Sequence, residues 1–315
     1  MRILTAFDVF SGCSWYRGIV PGHAAQLAGH EVRVAAGEAS REDIAWCDVL
    51  QVQRLWHPTA KRMVSDARMM GKMTVYDVDD DLWDIHPENP SHDFWHDHHT
   101  DAEAVMRLCA RVTTTGRELA ATLRRHHDDV RIVANAIPDD FRRSRALSTG
   151  GPLIVGWAGG NSHAKDLALI EPIIREVVER RDVVVWLSGC GDDIIHDRVL
   201  HPGTIAIEHY HAMLSMFDIG LAPLVDSRFN RAKSDLKPLE YAGVGVPCVA
   251  SRIGPYRDLT RGVLTAPSLK EFRTHLYRLI DDAELRSTTA AAGLAWADTR
   301  RISAVLPQWL EVWSR

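Results

Sequence analysis

The sequence has few cysteines and no long apolar run. Its five cysteines, Cys13, Cys47, Cys109, Cys190 and Cys248, include no Cys-x-x-Cys pair and have no regular spacing. This excludes a disulfide framework and a zinc ribbon, and it favours reduced thiols in a cytoplasmic protein. No stretch approaches the roughly 18 consecutive apolar residues that a transmembrane helix requires. The N-terminal apolar run is interrupted at Asp8 and is too short for a secretory signal. We therefore expect no transmembrane segment, whereas peripheral membrane contact stays open.

The composition and charge have no extreme value that would indicate a special class of protein. Hydrophobic residues make up 46% and charged residues 25% of the 315 residues, which excludes disordered, collagenous and fibrous chains. The net charge of −5 does not indicate a dedicated nucleic-acid coat. At roughly 150 residues per domain, the length favours two domains.

Short runs rich in β-branched residues alternate with segments of helical spacing, and this pattern occurs twice. In the first half the predicted strands are 3–6, 31–35, 49–52, 73–78, 112–114 and 130–133, and the predicted helices are 20–27, 63–70, 102–108 and 119–123. In the second half the predicted strands are 153–157, 183–187, 204–207, 219–222 and 248–250, and the predicted helices are 168–178, 236–242 and 272–280. The polar stretch from Arg142 to Gly151 predicts a linker. We expect two doubly wound parallel sheets that bind ligands at the carboxyl ends of their strands.

Each half begins with a strand that runs into a glycine-bearing turn, at Gly12 in the first half and at Gly159 and Gly160 in the second. Such a turn lets backbone N–H groups approach an anionic or hydroxyl-rich ligand at a helix N-terminus. Ordinary tight turns are the alternative. The first turn lacks Gly-x-Gly-x-x-Gly and neither fits Gly-x-x-x-x-Gly-Lys-Ser/Thr, which argues against a dinucleotide oxidoreductase and a P-loop phosphotransferase.

Residues 217–251 carry the richest set of polar groups. A strand is predicted to end there in a polar loop, and a helix to begin near Ser234. Lys233, Lys237 and the amides of the first helical turn lie where a helix dipole favours a phosphate. Glu240 follows within reach of a ribose attached to that phosphate. The alternative is a surface helix on which Lys237 and Glu240 form an i, i+3 pair.

This segment resembles the donor-binding motif of the GT-B glycosyltransferases of the group 1 type, also called family 4. In that motif Leu-Glu and Gly-x-Pro-Val-Val-Ala-Ser follow the diphosphate loop, as Leu239-Glu240 and Gly245-Val-Pro-Cys-Val-Ala-Ser251 do here. The resemblance covers nearly the whole chain, and it is closest to the compact enzymes of bacterial surface-glycan clusters and bacteriophages. The other motifs follow in the family's order: Asp79 to Trp83, Val112 to Leu119, Val133 to Asp139, Gly156 to Leu167 and Trp296 to Trp313.

The resemblance implies a GT-B fold, with two Rossmann-like α/β domains that face each other across a cleft. Residues 1–145 would form the acceptor-side domain and 151–297 the donor domain, and a helix at 298–315 would pack back on the first domain. The implied reaction moves a sugar from a nucleoside-diphosphate sugar to an acceptor hydroxyl. It retains the anomeric configuration and needs neither a metal nor another cofactor.

The resemblance also implies roles for single residues. Glu240 would bind the ribose, Lys233 and nearby amides the diphosphate, and Gly189 and Tyr210 would lie near the base. Arg17 would add a charge from the facing domain, unless it is a solvated arginine on the first helix. The donor-binding set is Gly12, Arg17, Gly160, Asn161, His163, Lys165, Gly189, His209, Tyr210, Asn230, Ser234, Asp235, Leu236, Lys237 and Glu240.

Two departures from the family pattern affect the donor site. Ala232 replaces the glutamate that contacts the donor sugar, and Asn230 or Lys233 could take over that contact. Gly160 replaces the arginine of an Arg-x4-Lys pair, of which Lys165 is present. A binding protein without turnover is therefore the alternative to an enzyme.

The acidic run 77–81 follows a predicted strand. Asp79 and Asp80, together with Lys233, are the candidate catalytic residues, since a carboxylate there could orient an acceptor hydroxyl or accept its proton. Asp79 and Asp81 also match the Asp-x-Asp motif by which GT-A enzymes bind a divalent ion. A solvated N-cap cluster is the third interpretation.

The segment 86–99 is rich in histidine. His92, His96 and His99 could present metal ligands on one helix face. We expect instead a mobile, aromatic flap over the acceptor.

The acceptor could be a surface glycan or glycolipid, a protein or a modified DNA base. Basic residues near 124–127, 142–145 and 300–301 could follow DNA phosphates, but solvated faces explain them more simply.

Overall fold

The computed structural model describes residues 1–142 and 151–314. The chain forms two compact units: unit 1 comprises Met1–Pro138, Ala232–Ser234 and Arg301–Arg315, and unit 2 comprises Asp139–Arg231 and Asp235–Arg300. Residues 143–150 of the predicted linker lie outside the described residues. Within the described chain, no helix is both long and apolar enough to cross a membrane.

Unit 1 contains a sheet of six parallel strands in the order β2-β1-β3-β4-β5-β6. The strands are β1 (Arg2–Phe7), β2 (Glu31–Ala36), β3 (Val49–Gln53), β4 (Met73–Asp77), β5 (Arg111–Thr114) and β6 (Val130–Ile132). The helices between them are α1 (Gly12–Ser14), α2 (Val20–Leu27), α3 (Arg41–Trp46), α4 (Pro58–Met69), α5 (His92–Leu108) and α6 (Arg117–Leu123), with a π-helical turn at Trp15–Ile19.

Unit 2 contains a second sheet of six parallel strands in the order β12-β11-β10-β7-β8-β9. The strands are β7 (Leu153–Ala158), β8 (Val183–Ser188), β9 (Val199–Leu200), β10 (Ile219–Ala222), β11 (Cys248–Ser251) and β12 (Val263–Ala266). The helices are α7 (Ala164–Arg180), α8 (Ile207–Leu214), α9 (Arg228–Arg231), α10 (Leu236–Gly243), α11 (Leu269–Asp281) and α12 (Ala283–Asp298). The chain ends with α13 (Ile302–Trp313), which belongs to unit 1.

The cores explain why these strands form. Every residue of β3 and β4 is buried, as expected of strands covered by helices on both faces. Helix α13 covers one face of the unit 1 sheet with Trp309 and Trp313, and the Trp313 indole donates a 2.7 Å hydrogen bond to Gln51 of β3. The predicted pair of doubly wound parallel sheets is therefore confirmed.

One predicted strand is wrong, and one predicted segment is more helical than expected. Residues 204–207 do not form a strand, because Ile207 already begins α8; the strand in this region is β9. The predicted flap at 86–99 is largely helical, since α5 begins at His92. Buried Trp95 anchors this first turn of α5 in the core, which the histidine-rich composition concealed.

Candidate active site

The strand order places a switch point in each sheet. In unit 2, β8 and β10 lie on opposite sides of β7, and in unit 1, β2 and β3 lie on opposite sides of β1. Ligands of open α/β sheets bind in the crevice outside the carboxyl ends of the strands at such a point. The carboxyl ends of β7 and β10 are therefore the place to look for a site in unit 2, and those of β1 and β3 in unit 1.

In unit 2 a buried carboxylate and a lysine lie at the carboxyl end of β7. Glu240 of α10 is only 5% exposed, and its Oε2 accepts a 3.2 Å hydrogen bond from the Tyr210 hydroxyl of α8. Lys237, one turn earlier on α10, donates to the carbonyl oxygen of Ala158. Its Nζ also lies 4.9 Å from the ring centroid of Trp157, a favourable cation–π distance. Helix α10 thus brings one negative and one positive group to the end of this strand.

Two glycines allow the backbone around this end of β7 to pack closely. A Cβ atom on Gly159 would lie 2.9 Å from Lys237 Nζ, so any larger residue would displace the lysine. Gly189 has φ +99°, and a Cβ there would lie 1.8 Å from the Gly159 carbonyl oxygen. Gly189 therefore requires glycine, and a side chain at Gly159 would have to move Lys237 or the Trp157 ring. Gly160 is exposed, with open space where a side chain would be.

Sequence reasoning missed the residue that joins the loops around this site, Asp166. Its buried carboxylate lies 2.8 Å from Nδ1 of His163, in the turn after β7, and accepts a 2.7 Å hydrogen bond from the backbone N–H of Val225, after β10. Asn230 donates a further 2.9 Å hydrogen bond to it. One carboxylate therefore holds both loops at the switch point of unit 2. The sequence feature that could have identified Asp166 is its place in the first turn of α7, directly after the glycine turn.

The structure corrects the expectation for Asn230. Its side-chain amide nitrogen donates to Asp166 and to the carbonyl oxygen of Val225, and the residue is 7% exposed. The side chain therefore fixes the loop after β10 and is turned into the protein, where it does not offer the predicted sugar contact.

The start of α10 agrees with the predicted helix 236–242. The helix begins at Leu236, two residues after the Ser234 start that the polar loop suggested, and Asp235 takes the N-cap position. Arg300 donates to both oxygens of Asp235, at 2.9 and 3.0 Å. Ser234 lies in unit 1, where its hydroxyl accepts a 2.9 Å hydrogen bond from Asn135.

Four other predicted donor-binding residues are exposed. Asn161 lies in the turn after β7, Lys165 in the first turn of α7, and His209 on α8 next to Tyr210. Gly12 begins α1 in unit 1, behind a capping box formed by Ser11 and Ser14. Their accessibility is compatible with ligand contact.

In unit 1 the three predicted catalytic residues lie around one arginine. Arg54 Nη1 donates to Asp79 and Asp80 at 3.4 and 3.3 Å, and to the sulfur of Cys13 at 3.2 Å. Lys233 Nζ lies 3.9 Å from the other oxygen of Asp80. Burial raises the pKa of Asp79, against the opposing charge of Arg54. Burial also raises the pKa of the Cys13 thiol well above its usual value, which keeps it protonated at neutral pH.

Arg54 is the functional candidate that the sequence interpretation missed in unit 1. It follows β3 directly, at the switch point of this sheet, and has φ +53°, the left-handed region that few residues other than glycine adopt. Its guanidinium also lies 5.1 Å from the ring centroid of Trp95. Such strain persists where the surroundings enforce it, commonly at functional sites.

Both interpretations of Arg17 are wrong. The residue is 0% exposed, so it is neither solvated nor presented to a ligand. Its guanidinium forms a 2.8 Å ion pair with Asp77 and donates to the Val133 carbonyl oxygen at 2.6 Å and to Asn135 at 3.2 Å. Arg17 thus holds the carboxyl end of β4 from inside the core.

The interpretation of Asp79 and Asp81 as an Asp-x-Asp metal site receives little support from the geometry. Asp81 is 1% exposed and accepts a 3.2 Å hydrogen bond from the backbone N–H of Trp83, so it does not join Asp79 in an Asp-x-Asp site. Among the described residues, one group of three possible ligand atoms lies within 4.8 Å, and it is Cys13, Asp79 and Asp80. Arg54 already occupies its centre.

The predicted histidine ligands likewise do not converge. His92 and His96 stack with their ring centroids 5.7 Å apart, and Nδ1 of His99 lies 3.0 Å from the Trp95 carbonyl oxygen. Within residues 1–142 and 151–314, these three rings are not part of any such group of ligand atoms.

Comparisons with known proteins show the fold. No protein-family model matches the sequence, and no curated protein matches it. Anabaena Alr3699/HepE, solved with UDP-glucose, is 13% identical and has a TM-score of 0.71 over 99% of this chain and 98% of its own. The lipopolysaccharide outer core galactosyltransferase WaaB is also 13% identical, with a TM-score of 0.60 over 99% of both chains.

A third similar structure is described as a putative UDP-N-acetylglucosamine 2-epimerase from Listeria monocytogenes, with 13% identity and a TM-score of 0.58 over 98% of this chain and 94% of its own. The chain therefore has the GT-B fold that the sequence predicted. Since transferases and a putative epimerase share this fold, the reaction has to be argued from the site.

Proposed function

We propose that the protein is a glycosyltransferase that uses a nucleoside-diphosphate sugar as donor. The observation that carries this proposal is the buried carboxylate of Glu240, next to Lys237, at the carboxyl end of β7. A carboxylate can accept hydrogen bonds from both hydroxyls of a ribose, and the bond from Tyr210 orients it before the ligand arrives. The structure of HepE in complex with UDP-glucose agrees with this assignment.

The leaving diphosphate needs positive charge as the glycosidic bond breaks. In this proposal the backbone N–H groups at the start of α10 and the charge of Lys237 bind that group. Gly160, Asn161, His163 and Lys165 would contact the sugar or the phosphates from the turn after β7.

We further propose retention of configuration without a metal. In such a mechanism the donor phosphate itself accepts the acceptor proton on the same face. Asp79 and Asp80 then orient the acceptor hydroxyl, and Arg54 and Lys233 balance their charge.

The five cysteines are free, which agrees with a cytoplasmic location.

A binding protein without turnover is the second candidate, and one observation favours it. Ala232, which replaces the sugar-contacting glutamate of the family motif, is 3% exposed in the core of unit 1. That side chain therefore offers nothing to a donor sugar in this structure.

A nucleotide-sugar panel tests the proposal. UDP-, GDP-, ADP- and dTDP-sugars are incubated with the protein, and the products are separated by chromatography and identified by proton NMR, which distinguishes epimers. We expect slow hydrolysis of at least one donor, abolished in Lys237→Ala and kept in the exposed control Lys270→Ala. A second nucleotide sugar as the sole product would show an epimerase, and binding without release a non-catalytic protein.

A further inference from the structure

A cluster of aromatic rings lies beside Arg54 in unit 1. The indole of Trp56, which follows β3, stacks on His98 of α5 with a centroid distance of 3.8 Å and an interplanar angle of 30°. Phe94, one turn before His98, meets Trp56 edge-on at 5.3 Å and 89°. We call Trp56, Phe94 and His98 the aromatic platform.

The exposed ring of the platform is fixed in place. Phe94 is 40% exposed, although leaving such a ring in water forgoes the free energy of burying it. It nevertheless contacts three rings, since its centroid also lies 4.8 Å from His98 and 5.0 Å from Trp95. Within the described part of the chain, the buried Trp56 Nε1 donor has no hydrogen-bond partner. An exposed ring that its neighbours hold in one orientation is typical of a binding surface.

The platform adjoins the acidic cluster of unit 1. Trp56 lies two residues after Arg54, whose left-handed conformation redirects the chain at the end of β3. Trp95, which touches Phe94, packs under the Arg54 guanidinium at 5.1 Å. Arg54 in turn donates to Asp79 and Asp80. Aromatic faces and carboxylates are thus neighbours in one part of the unit.

We propose that the aromatic platform binds a sugar ring of a carbohydrate acceptor. This inference rests on the proposed function, because it identifies the acceptor class for that reaction. A pyranose has an apolar face of C–H groups and a rim of hydroxyls. The apolar face suits Phe94, and the rim suits the neighbouring carboxylates.

The charge around the platform disfavours a nucleic-acid acceptor, whose bases could also stack on aromatic rings. Apart from its histidines, helix α5 carries four carboxylates and one cation: Asp93, Asp97, Asp101, Glu103 and Arg107. Asp101 is paired with Lys61 and Glu103 with Arg107, and the exposed carboxylates of Asp93 and Asp97 repel phosphates. Of the basic pair at 300–301, Arg300 is bound to Asp235 and Arg301 is 4% exposed. A neutral carbohydrate therefore matches the charge of this surface better than a nucleic acid does.

Saturation-transfer-difference NMR with irradiation of the aromatic protons tests the platform directly. The probes are the methyl glycosides of glucose, galactose, mannose and N-acetylglucosamine. We expect at least one of them to bind, with affinity reduced roughly tenfold in Phe94→Ala, because the stacking ring is lost. Phe94→Tyr should keep most of the affinity. Met69→Ala, which removes another exposed apolar side chain of unit 1, should leave it unchanged.

The inference is overturned if none of these glycosides binds, if Phe94→Ala binds as tightly as the wild type, or if a DNA duplex binds in a Phe94-dependent manner. Hydrolysis of nucleotide sugars by the wild type separates the two proposals. Hydrolysis without glycoside binding rejects the platform and leaves the glycosyltransferase. Phe94-dependent glycoside binding without hydrolysis of any donor keeps a sugar-binding platform and rejects the proposed reaction.

Discussion

The carboxylate of Asp166 lies 2.9 Å from the side-chain amide of Asn230, and this hydrogen bond joins the first turn of α7 to α9. The same carboxylate serves Val225 and His163. Both loops at the switch point of unit 2 therefore depend on one buried acid, which the strand pattern alone did not reveal.

We predict that Asp166→Ala lowers the free energy of unfolding by about 2–4 kcal/mol, because it leaves the buried donors of Val225 and Asn230 unpaired. Urea denaturation measures the change, and nucleotide binding should weaken with it. Asp192→Ala removes a largely exposed carboxylate and should have little effect. Equal stability of the two variants would contradict the role of Asp166.

Arg17→Met should destabilise unit 1 strongly, because it leaves the carboxylate of Asp77 buried and unpaired. The expected loss is about 3–5 kcal/mol. Arg33→Ala breaks an ion pair with Asp43 at the surface and should cost less than about 1 kcal/mol. If Arg17→Met unfolds at the urea concentration of the wild type, the buried pair does not hold β4.

Donor hydrolysis should be insensitive to EDTA. Arg54 and Lys233 already neutralise Asp79 and Asp80, and the Cys13 thiol is protonated, so the cluster is a poor cation site. The measurement is initial rate with and without chelator. Complete loss of activity that manganese restores would assign Asp79 and Asp80 to a metal.

The product should retain the anomeric configuration of the donor, as proton NMR of the released or transferred sugar will show. Asp80→Asn should then reduce the rate by less than about 10²-fold, because its carboxylate positions the acceptor and is not the base. An inverted product together with a loss near 10⁴-fold would identify Asp80 as the general base.

The sequence pattern was sufficient for the fold because parallel strands buried on both faces are mostly continuous apolar runs, as β10 (Ile219–Ala222) shows. The sequence pattern failed where the spacing of apolar residues did not reveal which residues are buried. Residues 204–207 have β-branched side chains but lead into α8, and the histidines of α5 obscured a helix that buried Trp95 anchors.

The candidate site could be predicted from the sequence where its residues belong to a motif. It could not be predicted where residues far apart in the chain contact each other. The motif identified Glu240, Lys237 and the glycine turn, which the structure brings together at the end of β7. Arg54 could have been suspected from its place after a buried strand at a switch point. Nothing local indicated that Arg17 is an internal partner of Asp77, because the two residues lie 60 positions apart.

Titration calorimetry of Glu240→Ala with UDP, GDP and ADP tests the central claim most directly. We predict that one of these ligands binds the wild type, and that its affinity falls roughly 100-fold or more in the variant. Two lost hydrogen bonds to a charged group, at about 1.5–3 kcal/mol each, account for such a change. Glu208→Ala, an exposed carboxylate on α8, should bind like the wild type. Wild-type affinity in a folded Glu240→Ala variant would contradict the assignment of the donor site.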